Sequence, residues 1–522
     1  MNRREFIKAT GVAGVSTAIA GATMASNPKK VMAVELAKEQ DDFPAEVTKD
    51  FKGFSFQNCM FIRGFWDNEP FEDEYIKKTY SKEFHTLPAG LVNYFGIQSR
   101  VLKGRTHDPN KVGYREVEIA LGIAGASMDK HFGGGSKLGA VNSPIQTFPI
   151  NPMTGEKMSD TPVFVQGLYS WDNSTVDKRL MKNKSPYEFK DSKDAAKYVK
   201  KAAKFLGADL VGIAPYNERT KRWTYTEWAT PKTELFTMPD GSKEYLFFNP
   251  IKLQKGEYET FGANIEKSDI VKKAGFEPKS IIVMAFEMDY EAFKAAPSYV
   301  ANTTVQLSYS NMAEVTHKVA TFLRELGYKA IPCGNDTSLS VPLAIEAGLG
   351  EGSRMGMVVT EKYGPRVRLA KVYTDLEIHP DKPKTFGVRE FCNVCMKCAD
   401  ACPGKAISSE PSKVLKEGME FDTGKVSISN ITEVEKWFCS GERCFSYWNY
   451  NEAGCSTCIA VCPYNKIDEW HHDLSKLMTL TPFKSLLRNL DEWFGYGGPV
   501  DPEERIESKY LIDAVNDFWN KL

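Results

Sequence analysis

The stretch from Phe391 to Pro463 limits what this chain can fold into more than any other. It opens with FCNVCMKCADACP, in which Cys392, Cys395, Cys398 and Cys402 stand as C-x2-C-x2-C-x3-C ahead of Pro403. Downstream, GERCFSYWNYNEAGCSTCIAVCP repeats the pattern with a longer first spacer, giving Cys444, Cys455, Cys458 and Cys462 ahead of Pro463. Three thiolates in so short a run can wrap one face of an iron–sulfur cubane, while the turn that follows carries the fourth away to a neighbouring cluster. The spacing therefore predicts two [4Fe–4S] clusters with crossed ligation. One is held by Cys392, Cys395, Cys398 and Cys462, the other by Cys402, Cys444, Cys455 and Cys458. Cys439 competes with Cys444 for the displaced position, and the nearer Cys444 is preferred. Zinc ribbons pair C-x2-C motifs but seldom need two four-cysteine runs that each end in C-P. A disulfide framework belongs to much smaller secreted domains.

With 522 residues the chain has room for about two to four domains and a large core. A formal net charge of −1 supplies no basic field for a nucleic acid. Of 11 cysteines, eight are assigned as ligands, leaving Cys59, Cys333 and Cys439 as buried or free thiols. At the N-terminus, Arg3 and Arg4 precede Phe6, Ile7 and Lys8 and then a mildly apolar run rich in Gly, Ala and Thr. This is the twin-arginine export pattern, which carries proteins already folded around their cofactors, and cleavage is expected after Ala25 or a few residues later. The run from Ala9 to Ala25 is too short and too weakly apolar to span a membrane, and no other segment is expected to span one.

Residues 36–185 are rich in Gly, Pro, Asn and aromatics and read as loops wrapped on a core. Asp129, His131 and Gly134 match D-x-H-x-x-G, a pattern by which a histidine can reach cobalt, but no βαβ signal surrounds them, so a chance match is the better reading. From Ser192 helical and strand patterns mix. SKDAAKYVKKAAKFLG reads as a helix ending at Gly207, and DLVGIAPY, KSIIVMAFEMDY, YKAIP and RVRLAKVY read as strands. Ser310 is read as the cap of a helix NMAEVTHKVATFLREL that stops at Gly327. Without a strict βα repeat the class is α+β or a layered sandwich. Asp381–Lys384 is read as a linker, and the last segment as a turn and helix packing back on the core. The expected organisation is a leader (1–35), a loop-rich unit (36–185), an α/β core (186–385), a two-cluster module (386–475) and a tail (476–522).

Two thiolate-capped clusters pass electrons and do no bond chemistry, so the rest of the chain must house an acceptor. No G-x-G-x-x-G follows a strand, and a dinucleotide site is unsupported. At this point the chain resembles the respiratory reductive dehalogenases, cobamide- and iron–sulfur-dependent enzymes, and within them the branch acting on tetrachloroethene and ortho-chlorophenols. The resemblance covers nearly the whole chain and rests on RREFIK, GLYSWDN, GADLVGIAPYNER, SYSNMAEV, CGNDTS, AGLGEGSR, VYTDLE, GVREFC, both cysteine runs and EWFGYGGPV.

The resemblance implies an α+β fold: a nitroreductase-like cobamide-binding core followed by a ferredoxin-like module with two [4Fe–4S] clusters. It implies a base-off cobamide with no histidine ligand from the protein, in keeping with the reading of His131. It carries three active-site positions onto Tyr309 as proton donor, Asn335 as its orienting amide, and Arg368 as the cation stabilising tyrosinate and departing halide. From residue type alone Tyr309 would be a packing residue and Arg368 a surface one. Tyr447 and Trp448 are expected in the pocket wall. Gly454 stands where some members carry tyrosine. The implied partners are a small organohalide, a small hydrophobic membrane-anchor subunit and a quinone-linked electron donor chain, at the outer face of the cytoplasmic membrane. Two other readings share part of this pattern: an epoxyqueuosine-reductase-like cobamide enzyme, which the export leader opposes, and an iron–sulfur subunit that only transfers electrons.

Overall fold

A four-stranded antiparallel sheet organises the described part of the chain. The computed structural model describes residues 37–63, 66–80, 82, 110–131, 185–465 and 497–521, apart from positions 233, 238–240, 242, 247, 248, 250, 253, 254, 256, 258, 336 and 508. In chain order the main elements are β1 (Lys38–Glu39), α1 (Glu116–Gly125), α2 (Ser192–Phe205), β2 (Leu210–Pro215), β3 (Ser280–Glu287), α3 (Tyr299–Glu325), β4 (Ala330–Cys333), α4 (Ser340–Glu346), β5 (Val367–Thr374), β6 (Lys384–Thr385), α5 (Val388–Cys395), α6 (Gly441–Asn451) and α7 (Lys509–Asn520). The sheet order is β2-β3-β5-β4 with every pair antiparallel.

Strand β3 shows why this sequence pairs as it does. Successive side chains leave a strand on opposite faces. Ile281, Val283 and Ala285 enter one core with Trp223, Leu343 and Tyr373, while Ile282, Met284 and Phe286 enter a second with Val199, Met312 and Val319. Helices cover both faces, so the usual apolar–polar alternation of an antiparallel strand disappears into one apolar run. Gly212 on β2 has a steric reason. A Cβ placed there would meet the Ala347 carbonyl oxygen at 2.1 Å, so the turn after α4 packs directly on the strand.

The long helix α3 begins well before the position that Ser310 was expected to cap. Thr303, Thr304, Ser308 and Ser310 favour turns and caps in isolation because their hydroxyls compete for backbone groups. Here Thr303 and Ser308 bond back to the carbonyls of Tyr299 and Thr304 (2.9 and 2.8 Å), and Val300, Ala301, Thr304, Val305, Ser308 and Met312 form a buried stripe. Tertiary burial overrides local preference, and Tyr309 lies inside the helix instead of just before it. Ser310 has a different task. Its Oγ donates to the Gly125 carbonyl (2.5 Å) and accepts from the Asp129 amide (3.1 Å), clasping α1 and the turn after it to α3. Gly122 and Gly125 allow that close approach, since Cβ atoms there would stand 3.2 Å from Thr303 Oγ1 and 3.3 Å from the Leu307 nitrogen.

The segment read as a linker is pinned. The Asp381 carboxylate accepts from Lys200 Nζ (2.6 Å) and from the Ile213 amide (2.8 Å), and Lys384 belongs to β6, which pairs with β1. The N-terminal segment goes on to bridge Val47 to Val434 and to set Phe43 and Phe51 on Trp223. At the other end α7 packs Ala514 and Val515 against Ala292, Ala295 and Val300. Arg505, 1% exposed, donates to the carbonyls of Ala296, Gly497 and Pro499.

Replacing Ser310 by Ala removes one donor and one acceptor from a buried helix contact. Denaturant unfolding should show a loss of about 1–3 kcal/mol. An unchanged midpoint would mean that α1 is held by apolar packing alone.

Candidate active site

The pairs Cys395/Cys398 and Cys455/Cys458 each turn on a residue in the left-handed region, Met396 (φ 55°) after Cys395 and Ser456 (φ 56°) after Cys455. Non-glycine residues adopt that conformation at a cost, and its repetition at equivalent places in both runs brings each pair round a common point. The Cys398 thiol feels Cys392, Cys395, Cys462 and Cys458, and the Cys444 thiol feels Cys439, Cys402, Cys458 and Cys455. The structure thus brings the thiols of both runs close to one another, and the crossed assignment of four ligands to each cluster stays the reading that the spacing gives. Cys439 stands beside the second group as a fifth thiol, tied by a backbone bridge to Ile407.

Burial pushes these thiols up, Cys392 to about 12, Cys455 to about 11, and Cys398, Cys444 and Cys458 well above the ordinary thiol range, with neighbouring thiols adding to the effect. A buried thiolate needs a cation close by, and iron supplies one. The donor set therefore fits cubane clusters. The Ala406 amide donates to Cys402 Sγ (3.3 Å), one of the contacts by which a protein tunes a cluster's potential.

Two buried polar side chains from the segment 351–354 join this module to the core. Arg354 donates to the carbonyls of Cys392 (3.1 Å), Ser408 (2.5 Å) and Glu410 (2.8 Å). Glu351, fully buried, accepts from the amides of Phe386 and Val388 at the start of α5, and desolvation holds its carboxyl above the usual range.

Tyr309, Asn335 and Arg368 come from a helix, a loop and a strand and meet at one place. Asn335 Nδ2 donates to Tyr309 Oη (2.9 Å), and the Arg368 guanidinium lies over the Tyr309 ring, 5.2 Å from its centroid. The sheet edge explains the meeting. Strand β4 pairs only with Lys371–Thr374, so β5 from Val367 to Ala370 has no strand on that side among the described residues. The chain leaving β4 reaches Asn335 two residues later, and Arg368 sits on the open half of β5. Arg368 Nε is buried and unpartnered among the described residues, a donor left over for a bound group. Two residues that the sequence reading missed complete the cluster of polar atoms: Ser340 Oγ bonds Asn335 Oδ1, and Lys371 Nζ bonds Ser340 Oγ, both at 2.9 Å. The signal for Lys371 was a lysine inside an apolar strand run.

The aromatics of the long spacer lie on α6. Tyr447 is buried, and its hydroxyl is pushed up by desolvation beside Cys455, Tyr114, Tyr80 and Cys402, which places it against the second thiol group. Trp448 is half-buried. Gly454 rests on α3, where an added Cβ would meet Asn302 Oδ1 at 2.6 Å. Asn302 precedes Tyr309 by two helical turns on the same face, so the spacer leans on the helix that carries the tyrosine. The side chain of His131, together with Gly134, GLYSWDN and residues 1–36, lies outside the described residues.

A family model described as a 4Fe-4S double cluster binding domain matches residues 391–465. A tetrachloroethene reductive dehalogenase of Desulfitobacterium hafniense is 40% identical over 551 aligned residues, covering 100% of this chain and 98% of the relative. The chain belongs to the reductive dehalogenase family. The tetrachloroethene reductive dehalogenase of Sulfurospirillum multivorans is 33% identical over 413 residues, 77% of this chain and 73% of its own. A solved reductive dehalogenase, described as B12-dependent, superposes with a TM-score of 0.53 at 18% identity over 91% of this chain, and so shares the fold. This chain spans half the length of that solved chain, 50%. The dehalogenase is thus an oxidoreductase acting on carbon–halogen bonds, with a double [4Fe–4S] module at 391–465. The full-length match sets aside the epoxyqueuosine-reductase and electron-transfer readings.

Serine variants test the cluster assignment. Cys462→Ser and Cys392→Ser should alter the same signal in the electron paramagnetic resonance spectrum of the reduced enzyme, Cys402→Ser and Cys444→Ser the other. Cys439→Ser should leave both intact. If Cys402→Ser and Cys392→Ser disturb one and the same signal, the ligation is not crossed.

Proposed function

We propose that this dehalogenase is the terminal reductase of organohalide respiration, acting on a small chlorinated ethene through a cobamide, with Tyr309 as the proton donor. The observation that carries the reading is the Asn335–Tyr309–Arg368 cluster at an open sheet edge, with a buried guanidinium nitrogen left over. Full-length relatives named for tetrachloroethene support the substrate class. When bound, the cobamide supplies Co(I), a reductant strong enough to cleave a carbon–halogen bond.

The chain's own residues do the rest. The overall change is R–Cl + 2e⁻ + H⁺ → R–H + Cl⁻. The electrons enter through the two cysteine groups. The proton comes from the Tyr309 phenol, a weak acid that can give its proton to a strongly basic carbon. Asn335 Nδ2 and the Arg368 guanidinium then face the tyrosinate, one as a donor in place and the other as a permanent charge. Arg368 Nε is the donor available to the departing halide.

The location of the enzyme is part of the same proposal. The Arg3–Arg4 leader supports export, and among the described residues no helix is long and apolar enough to cross a membrane. A small hydrophobic anchor subunit would then hold the enzyme at the outer face of the cytoplasmic membrane, within reach of a quinone-linked donor chain.

Enzyme carrying clusters and cobamide should release chloride from tetrachloroethene with a reduced viologen as donor. No halide release across chloroethenes, chloroalkanes and halophenols would refute the reading. Tyr309→Phe should lower turnover by about 100-fold or more with iron and cobamide contents unchanged. Unaltered turnover would remove Tyr309 from the proton step. Replacing Arg3 and Arg4 by Lys should trap the protein inside the cell, and continued export would discount the leader.

A further inference from the structure

Lys371 is fully buried on β5, on the sheet face opposite that of Arg368, and its Nζ lies 2.9 Å from Ser340 Oγ and 3.2 Å from the Ser338 carbonyl. From Ser340 the bonds continue to Asn335 Oδ1 (2.9 Å) and from Asn335 Nδ2 to Tyr309 Oη (2.9 Å). Both cations of the strand therefore act on one phenol. Arg368 covers the ring directly, and Lys371 reaches it around the end of β4.

The chemistry of the donors gives this chain a direction. A lysine ammonium only donates, so Ser340 Oγ accepts from it. The single hydroxyl proton of Ser340 is then directed to Asn335 Oδ1. That settles which end of the amide is oxygen, a choice that bonding partners and not shape determine. Nδ2 is left to donate to Tyr309. Tyr309 Oη is thus an acceptor in this chain, and its own proton remains free. Two further phenols hold the loop in place: Tyr225 donates to the Asn335 carbonyl (2.9 Å) and Tyr373 to Ser338 Oγ (2.9 Å).

We propose that Lys371 is a positioning residue for Tyr309, acting through Ser340 and Asn335 to hold the phenol proton toward substrate and to stabilise the tyrosinate left behind. The proposal rests on the role of Tyr309 given above. Among the described residues the titratable and charged groups around the chain include Arg368 over the ring, Lys371, Cys333 opposite Lys371 on β4, the phenols of Tyr225 and Tyr373, and Tyr216 packed on Tyr373. Glu346 on α4 is turned to Trp223 and Arg219.

The test uses Lys371→Met and Ser340→Ala in the cluster- and cobamide-loaded enzyme. The first keeps the volume, and the second leaves the lysine in place and breaks the chain. The direct readout is carbon-13 NMR of Cζ-labelled tyrosine in the oxidised enzyme, with the Tyr309 resonance assigned by its loss in Tyr309→Phe. In both variants ionisation of Tyr309 should move to higher pH by about one unit, a tenfold effect. The alkaline limb of the dehalogenation rate should move with it, the rate falling about tenfold at neutral pH. In the Tyr309→Phe background neither change should lower the residual rate further. An unmoved resonance in both variants overturns the proposal, as does an additional rate loss in the Tyr309→Phe background. If Lys371→Met does not fold, Ser340→Ala decides. A shifted resonance in an enzyme that releases no halide would refute the functional reading and leave the positioning role standing.

Discussion

The described structure depends on one helix lying in two hydrophobic cores. Helix α3 packs Met312, Val315 and Val319 against the sheet with Met284 and Val372, and nearer its start packs Ala301 and Val305 into the core that holds Phe391, Cys395, Cys398 and Cys462. Tyr309 lies between these stretches and packs against both cores. A phenol there is fixed from two directions, since moving α3 would disturb the sheet and the cluster module together. Buried polar atoms in such a place must find partners, and the loop after β4 and strand β5 supply them.

The electron-carrying module is docked by electrostatics as much as by packing. Arg354 ties three carbonyls of the module, one of them on Cys392, and the Glu351 carboxylate meets the amides at the start of α5. Both residues belong to the AGLGEGSR block, which lies in the core before the module begins. A buried charge held by several hydrogen bonds resists displacement, because breaking the contacts would leave it unpaired in a low dielectric. The module is thereby held against the part of the chain that carries the sheet and Tyr309.

Different parts of the site were legible in the sequence for different reasons. The cysteine groups were legible because ligand spacing is local: three thiols around one cubane must lie within a few residues of each other. The strands were legible as apolar runs, and Gly207 and Gly327 as stops, both with positive φ (125° and 88°). The start of α3 was not legible. Its hydroxyl residues point locally to a cap, and only burial against α1 and the sheet makes them helical. Asp381–Lys384 was misread for a similar reason, since a polar run with a proline looks loose until Lys200 and the Ile213 amide are placed around Asp381.

The sequence by itself determined the cofactor chemistry of residues 391–465 and, through motif resemblance, the identities of Tyr309, Asn335 and Arg368. Only the tertiary structure decided that these three residues meet and why they do. Strand β4 stops opposite Lys371 and leaves half of β5 open, and the register that sets this stop is a long-range pairing with no local signature. The same pairing sets Lys371 and Arg368 on opposite faces of one strand while both act on Tyr309. Alternation along a strand can be read from sequence, but which edge is left uncovered, and what fills it, is settled when the sheet assembles.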